Sequence, residues 1–266
     1  MKPLNLVVCI KPVPDIRYWA KITLDPKTKT LRREGIPIAI GPKDLCALEE
    51  ALKIKGKLGG KVTTISMGPP NTKEILEWSI VLGADEAVLL TDRAFAGADT
   101  WATAYSLAKG IEKLGGYDLV LLGNESLDGS TAQVGPQIAE FLKIPHIGRV
   151  SKVEFPNHNL RVNSKFETGF MVVESPLPVV IGVEREMNEP RTPTLFGAVW
   201  AAERQIKTYS AGDIEVDKSR IGLSGSPTKV TDVFAVEMKR KGKMLTGEPS
   251  QVARQLVQEL RLRECF

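Results

Sequence analysis

Two histidines, His146 and His158, and three cysteines, Cys9, Cys46 and Cys265, are all the chain has of these residue types in 266 positions. No H-E-x-x-H, C-x-x-C or G-x-S-x-G occurs, which argues against metal-dependent hydrolysis and Ser-His catalysis. Three distant cysteines form neither a disulfide framework nor a zinc site, and a reduced, cytoplasmic protein is expected. No run approaches the roughly 20 apolar residues of a membrane span. The N-terminus enters a strand pattern at once, so no signal peptide is expected. Charge of one sign is also scarce: 36 basic residues against 32 acidic give +4, well interspersed. The cluster Lys239, Arg240, Lys241, Lys243 is short and reads as a solvated segment, so no nucleic-acid patch is evident. Gly56–Lys61 imitates a P-loop but has three residues, not four, between Gly56 and Gly60, and Val62 replaces the magnesium-binding hydroxyl. G-x-G-x-x-G is missing as well.

What is present is a globular composition, 42% apolar and 26% charged, sized for one large domain or a domain plus an appendage. Leu4–Ile10 is a nearly continuous apolar run, as a parallel strand covered on both faces requires. Two short β-like pieces flank a turn at Asp25–Thr28. Gly41-Pro42-Lys43-Asp44 opens a helix, with Pro42 at its first position and Asp44 complementing the dipole; Lys53, Lys55 and Gly56 predict its end. Further strands are expected at 62–67, 87–90 and 118–122. The helices that follow are expected from Asn71 or Thr72 to Leu82, at 99–113 and at 131–142. Alternating βα units predict an α/β fold, an open parallel sheet with helices on both faces. After residue 146 the pattern changes to short antiparallel strands at 147–154, 159–166 and 169–174, with a turn at 156–159. An apolar strand follows at 176–181. Residues 1–204 are expected to form the α/β domain. Residues 205–266, turn-rich and ending in an amphipathic helix with Val252, Leu256, Val257 and Leu260 on one face, are expected to wrap a partner.

The informative segment follows the fourth strand: Gly123, Asn124, Glu125, Ser126, Leu127, Asp128, Gly129, Ser130, Thr131, Ala132, Gln133, Val134. Small and hydroxyl residues here lie between a strand and a helix. Ligands of open α/β sheets sit beyond the carboxyl ends of strands, and a helix N-terminus offers N–H groups to a phosphate. Phosphate binding and an ordinary helix cap both fit these residues. The loops after the first strand (Cys9, Lys11) and the second (Ser66, Met67, Gly68) should share this edge, where backbone groups could read an adenine. The side chains of Cys9 and Met67 read better as core packing; Lys11 fits a phosphate partner or a surface charge, and reads better as a surface charge. Tyr18 and Trp19 are treated as packing residues.

Several ordered motifs resemble the β (small) subunit of electron transfer flavoproteins along nearly the whole chain. They are V-V-C-I-K-P-V-P-D at 7–15, P-K-D-L-C-A-L-E-E-A-L at 42–52, I-S-M-G-P at 65–69, L-G-A-D at 82–85 and D-L-V-L-L-G at 118–123. N-E-S-L-D-G-S-T-A-Q-V-G-P at 124–136, N-E-P-R at 188–191 and G-S-P-T at 225–228 complete the set. The resemblance implies the family's adenine-nucleotide-binding fold with flavodoxin-like strand order, and a C-terminal arm embracing the α (large) subunit. Carried across by motif, nucleotide contacts fall at Cys9, at Gly41, Pro42, Lys43 and Asp44, at Met67 with its neighbours Ser66 and Gly68, and along Gly123–Val134. Gly41 departs from the Asn of many relatives, so any side-chain hydrogen bond there is lost.

The 123–136 loop resembles the electron-bifurcating branch of the family, whose β subunit holds FAD and meets NADH. The ordinary branch holds AMP there, behind a bulkier, more acidic loop. The resemblance therefore implies an electron carrier working as a heterodimer. NADH reduces FAD in this subunit, and electrons divide between a high-potential acceptor, through the α-subunit FAD, and ferredoxin or flavodoxin. A dehydrogenase or quinone oxidoreductase is an implied partner. No side chain is assigned as acid or base, because the hydride chemistry belongs to the cofactor. A non-bifurcating carrier with structural AMP, fed by acyl-CoA dehydrogenases, is the alternative. A regulatory nucleotide-binding module of the universal-stress type is the second. Leu195 and Phe196 lie in a segment resembling the family's docking loop for dehydrogenases. They could fill a partner's pocket or pack on this chain's own sheet.

Overall fold

The structure is a computed structural model that describes residues 2–21, 23–25, 30–32, 35–156, 159–231 and 242–263. Residues 26–28 of the turn expected at Asp25–Thr28, residues 157–158 of the 156–159 turn, the basic cluster at 239–241 and Cys265 lie outside the described residues.

In chain order the elements are β1 (Leu4–Cys9), β2 (Pro12–Pro14), β3 (Thr23–Asp25), β4 (Thr30–Arg32), β5 (Ile38–Ile40), α1 (Pro42–Leu58), β6 (Gly60–Met67), α2 (Lys73–Val81), β7 (Glu86–Leu90) and α3 (Thr100–Leu114). Then follow β8 (Leu119–Gly123), α4 (Val134–Leu142), β9 (His146–Glu154), β10 (Leu160–Phe166), β11 (Gly169–Ser175), β12 (Val179–Val183), α5 (Leu195–Ala202), β13 (Lys207–Tyr209) and α6 (Pro249–Leu262). One nine-stranded sheet runs β11-β10-β9-β12-β8-β1-β6-β7-β13. It is parallel from β9 to β13, and β10 and β11 extend it as antiparallel strands.

Strand β1 shows why the apolar run reads as a doubly covered strand. Leu4, Leu6 and Val8 pack in the layer of α1, while Val7 and Cys9 pack in the layer of α3 and α4. Helix α1 begins at Pro42 as expected but passes Gly56. It ends at Leu58, with Gly59 at φ +74° accepting the left-handed turn. Mid-helix glycine costs only about 1 kcal/mol, so Gly56 alone does not stop a helix that buries Cys46, Leu48, Leu52 and Ile54.

The strand order is not flavodoxin-like. Strand β6 lies beside β1, β7 lies outside β6, and β8 lies on the other side of β1, giving 3-2-1-4 for the first four parallel strands. Two successive crossovers run one way, and α3 then carries the chain back past β6 and β1. The βα periodicity is the same for both orders, so the pattern of apolar residues cannot separate them. The reversal opens a crevice between the carboxyl ends of β1 and β8.

The described residues up to Thr231 form one compact unit, and those from Gly242 onward belong to a second. Residues 205–231, assigned by pattern to the extension, are part of the first. Strand β13 pairs with β7, and Ala211, Ile214 and Ile221 are buried beside the α3 layer. Three-residue strands and turns carry little periodic signal, which hides this packing in the sequence. In the second unit, α6 carries Val252, Leu256, Val257 and Leu260 at helical spacing, and Lys243 pairs with Glu259.

Candidate functional site

The crevice is held by one carboxylate. Asp44, in the first turn of α1, is buried; its Oδ2 accepts the backbone N–H of Lys11 at 2.9 Å and its Oδ1 that of Gly123 at 2.8 Å. It thus ties the exit of β1 to the end of β8. Glycine is required at 123 by this approach: a Cβ there would lie 2.6 Å from Asp44 Oδ1 and 2.9 Å from the Asp44 backbone nitrogen. Burial pushes the Asp44 carboxyl up to about 6, against the pull of the two N–H donors and the Lys11 charge. Burial, with Asp44's charge second, also pushes the Cys9 thiol far above its usual range.

Beyond β8, Asn124 is fixed on both sides. Its N–H donates to Val183 O, and its Oδ1 accepts from Arg149 N at 2.9 Å. A tight turn follows, closed by Ser130 N–H on Ser126 O at 3.0 Å and by Gly129 N–H on Ser126 Oγ at 3.2 Å. Ser130 and Ala132 then adopt left-handed φ values of 47° and 54°. These break the helix expected from Thr131, so α4 starts at Val134. Gly129 is outside the left-handed set; a Cβ there would instead press on Ser126 Oγ at 3.1 Å.

The opposite wall is the start of α3. Asp99 caps it, Oδ1 accepting from Trp101 N and Ala102 N. Its Oδ2 accepts from the backbone and hydroxyl of Thr228, and Ser226 Oγ accepts the Asp99 N–H at 2.8 Å. Burial raises the Asp99 carboxyl, but these donors outweigh it and hold it below the usual range. Thr100 Oγ1 donates to Gln133 Oε1 at 3.0 Å, closing the walls together.

Between them lies a cleft of about 330 Å³, of ligand-site size. Of the residues expected to bind nucleotide, Cys9, Asp44, Met67, Gly123, Asn124, Glu125, Ser126, Gly129, Thr131, Ala132, Gln133 and Val134 line it. Gly41, Pro42, Lys43, Ser66, Gly68, Leu127, Asp128 and Ser130 do not. Ser66 is fully buried. The Lys43 ammonium is held by Glu125 at 3.0 Å and by buried Glu184 at 2.6 Å. Burial disfavours its charge, and the two carboxylates outweigh that, raising it above the usual lysine range.

Lys11, read as a surface charge, instead lines the cleft; its Nζ donates to Asp128 Oδ1 at 2.5 Å and Ser126 Oγ at 3.1 Å. The sequence reading also missed Ala98, Asp99, Thr100, Thr103 and Leu107. Asp99-Thr100 ahead of an apolar helix was the available signal; the strand order was needed to bring that helix to the crevice.

The second candidate surface lies on α5, which Thr194 caps through Gly197 N–H. Trp200 and Ala201 of α5 pack on Leu76, Ile80, Ala87 and Leu89. Leu195 and Phe196 do not join that packing: they are 86% and 78% exposed. The chain leading to them is fastened along α1. Asn188 Nδ2 donates to Cys46 O at 3.1 Å, and Arg191 grips buried Glu49 at 2.7 and 3.2 Å.

A family model for the electron transfer flavoprotein domain matches residues 28–216. The electron transfer flavoprotein subunit beta of Thermoanaerobacterium thermosaccharolyticum is 47% identical over 98% of this chain and 99% of its own. The chain belongs to the electron transfer flavoprotein β-subunit family. It is also 42% identical to the caffeyl-CoA reductase-Etf complex subunit CarD of Acetobacterium woodii, over 97% of this chain and 98% of that one. Protein FixA of Azorhizobium caulinodans is 40% identical over 97% and 94%. Electron transfer flavoprotein β subunits pair with an α subunit. Among the described residues, no helix is long and apolar enough to cross a membrane.

The Asp44 shift gives a test of the clamp. Its folded-state value, about 6, lies above the ordinary 3.8. Proton uptake therefore favours the folded chain, and this contribution is full below about pH 4 and lost as pH rises through 6. Asp44→Asn removes that dependence. Chemical denaturation between pH 4 and 7 should show the stability of the original chain, relative to the variant, falling as pH rises. A constant difference would mean that Asp44 titrates normally.

Proposed function

We propose that the cleft holds the adenylate portion of an FAD, that this flavin accepts hydride from NADH, and that the heterodimer divides the electrons between two acceptors. One path runs through the α-subunit FAD to a high-potential acceptor, the other to ferredoxin or flavodoxin. The observation that carries this reading is the wall formed by the 123–135 loop. Gly129 and Ala132 line the cleft without bulk, beside the N–H groups that open α4. That arrangement fits a pyrophosphate that continues into a second half of the ligand.

The residues present suit such a group. Cys9, Met67, Leu107 and Leu122 offer an apolar slot for a ring. The N–H groups of Val134 and Gly135, ahead of Pro136 in the first turn of α4, have no carbonyl partner within the helix and suit an anion. Ser126, Thr131 and Gln133 supply polar contacts. When bound, the flavin supplies hydride acceptance and one-electron release. The chain's residues bind it, orient it and exclude water, and none is needed as an acid or base.

Leu195 and Phe196 serve as the dock for a dehydrogenase or quinone oxidoreductase. The relative named as a subunit of a caffeyl-CoA reductase complex supports docking of a reductase by a chain of this kind. The second unit, which carries α6, embraces the α subunit.

The flavin assignment is tested on the purified heterodimer by flavin count, adenylate analysis of released cofactor and anaerobic NADH titration. Two FAD and bleaching by NADH alone are expected. One FAD with one AMP and no bleaching would replace this reading with the AMP-type carrier. For the dock, Leu195→Ala is expected to leave flavin content unchanged while slowing electron exchange with a partner dehydrogenase roughly tenfold, the loss of a buried apolar anchor; an unchanged rate removes α5 from the dock. A chain ending at Thr231 should fold yet fail to copurify with the α subunit, and full-yield copurification would exclude the arm from that interface.

A further inference from the structure

Lys11 sits where a cation would matter most and is already partly engaged. Its ammonium lies at the wall of the cleft, held by Asp128 at 2.5 Å and Ser126 at 3.1 Å. The Asp128 side chain is 4% exposed, that of Lys11 47%. The backbone of Lys11 is fixed independently, its N–H on Asp44 and its carbonyl accepting from Gly41 N–H at 3.3 Å. Both ends of a normally flexible side chain are therefore set.

We propose that Lys11 is the phosphate-facing cation of this cleft and that Asp128 and Ser126 are its positioning residues. The inference rests on the nucleotide reading above. An ammonium has three N–H donors. Two point to Asp128 and Ser126, which leaves one to donate to a phosphate oxygen without breaking the existing pair. Holding a lysine in place before the ligand arrives removes the cost of ordering a rotamer-rich side chain on binding. The turn at 126–130 supports this geometry, because Ser126 Oγ also accepts the N–H of Gly129. Gly129 is small for a related reason: a Cβ there would lie 3.1 Å from Ser126 Oγ and press on the hydroxyl that holds Lys11.

The sign of one substitution separates this from simple charge repulsion. If Asp128 only placed a negative charge near an anionic ligand, Asp128→Asn would tighten binding. If Asp128 positions Lys11, the same change weakens it.

The nucleotide-stripped heterodimer is titrated calorimetrically with adenosine, ADP and FAD. The original protein is expected to prefer ADP to adenosine at least tenfold. Lys11→Met should reduce that preference below threefold with adenosine affinity unchanged, and Lys11→Arg should restore most of it. Asp128→Asn should weaken ADP three- to tenfold, again without affecting adenosine. Because adenosine affinity reports an intact site, a variant that merely misfolds is recognised by losing both ligands, and the Arg variant then decides. Lys11→Met with the original preference, or Asp128→Asn with tighter ADP binding, overturns the proposal while leaving the nucleotide reading in place. Failure of the original protein to bind any of the three ligands overturns both.

Discussion

A buried carboxylate bridging two strand ends is the constraint on which the site depends. Parallel strands β1 and β8 pair at Leu6, Val7 and Val8, and beyond Val8 no ladder pair joins them. Asp44 spans the gap with one oxygen to each chain. Burying that charge is unfavourable, and the two backbone donors are what make it tolerable. The small residue at 123 follows from the clamp, as does the direction in which Lys11 leaves the sheet. Helix α1 thereby does two tasks: its first turn closes the crevice, and its flank, through Cys46, Glu49 and Glu50, holds the segment running to α5.

The polar groups around the crevice are arranged so that few are left without a role. Lys43 joins Glu125 of the cleft wall to Glu184, at the end of β12. Asp99 serves helix α3 and the 226–228 segment with different oxygens. Such side chain–backbone bonds set loop shape where no ladder is available. They account for a cleft whose walls are mostly loops yet whose positions are each tied to a strand or helix end.

Much of this architecture was legible in the sequence. The doubly apolar β1, Pro42 at the start of α1 and the strand–loop–helix around Gly123 follow from local chemistry. What escaped were features set by distant partners. Strand order depends on which way each crossover runs, and Leu4–Cys9 looks the same in either order. The late start of α4 depends on Ser130 and Ala132 accepting left-handed conformations, which neither residue type advertises. Lys11 looked solvent-facing because its partners, Ser126 and Asp128, are more than a hundred residues away. Residues 205–231 looked like an arm because Ala211, Ile214 and Ile221 bury themselves from turns.

The alternation along β1 has a consequence for how such a protein can change. Leu4, Leu6 and Val8 belong to one packed layer, Val7 and Cys9 to the other, and most of the apolar lining of the cleft, Cys9, Met67, Leu107 and Leu122, comes from the second layer, while Ile10 comes from the first. Mutations at those second-layer positions can therefore refit the cleft to a different ring without disturbing the hydrophobic layer beneath α1. Descent with changed ligand and unchanged scaffold is a path this sheet leaves open.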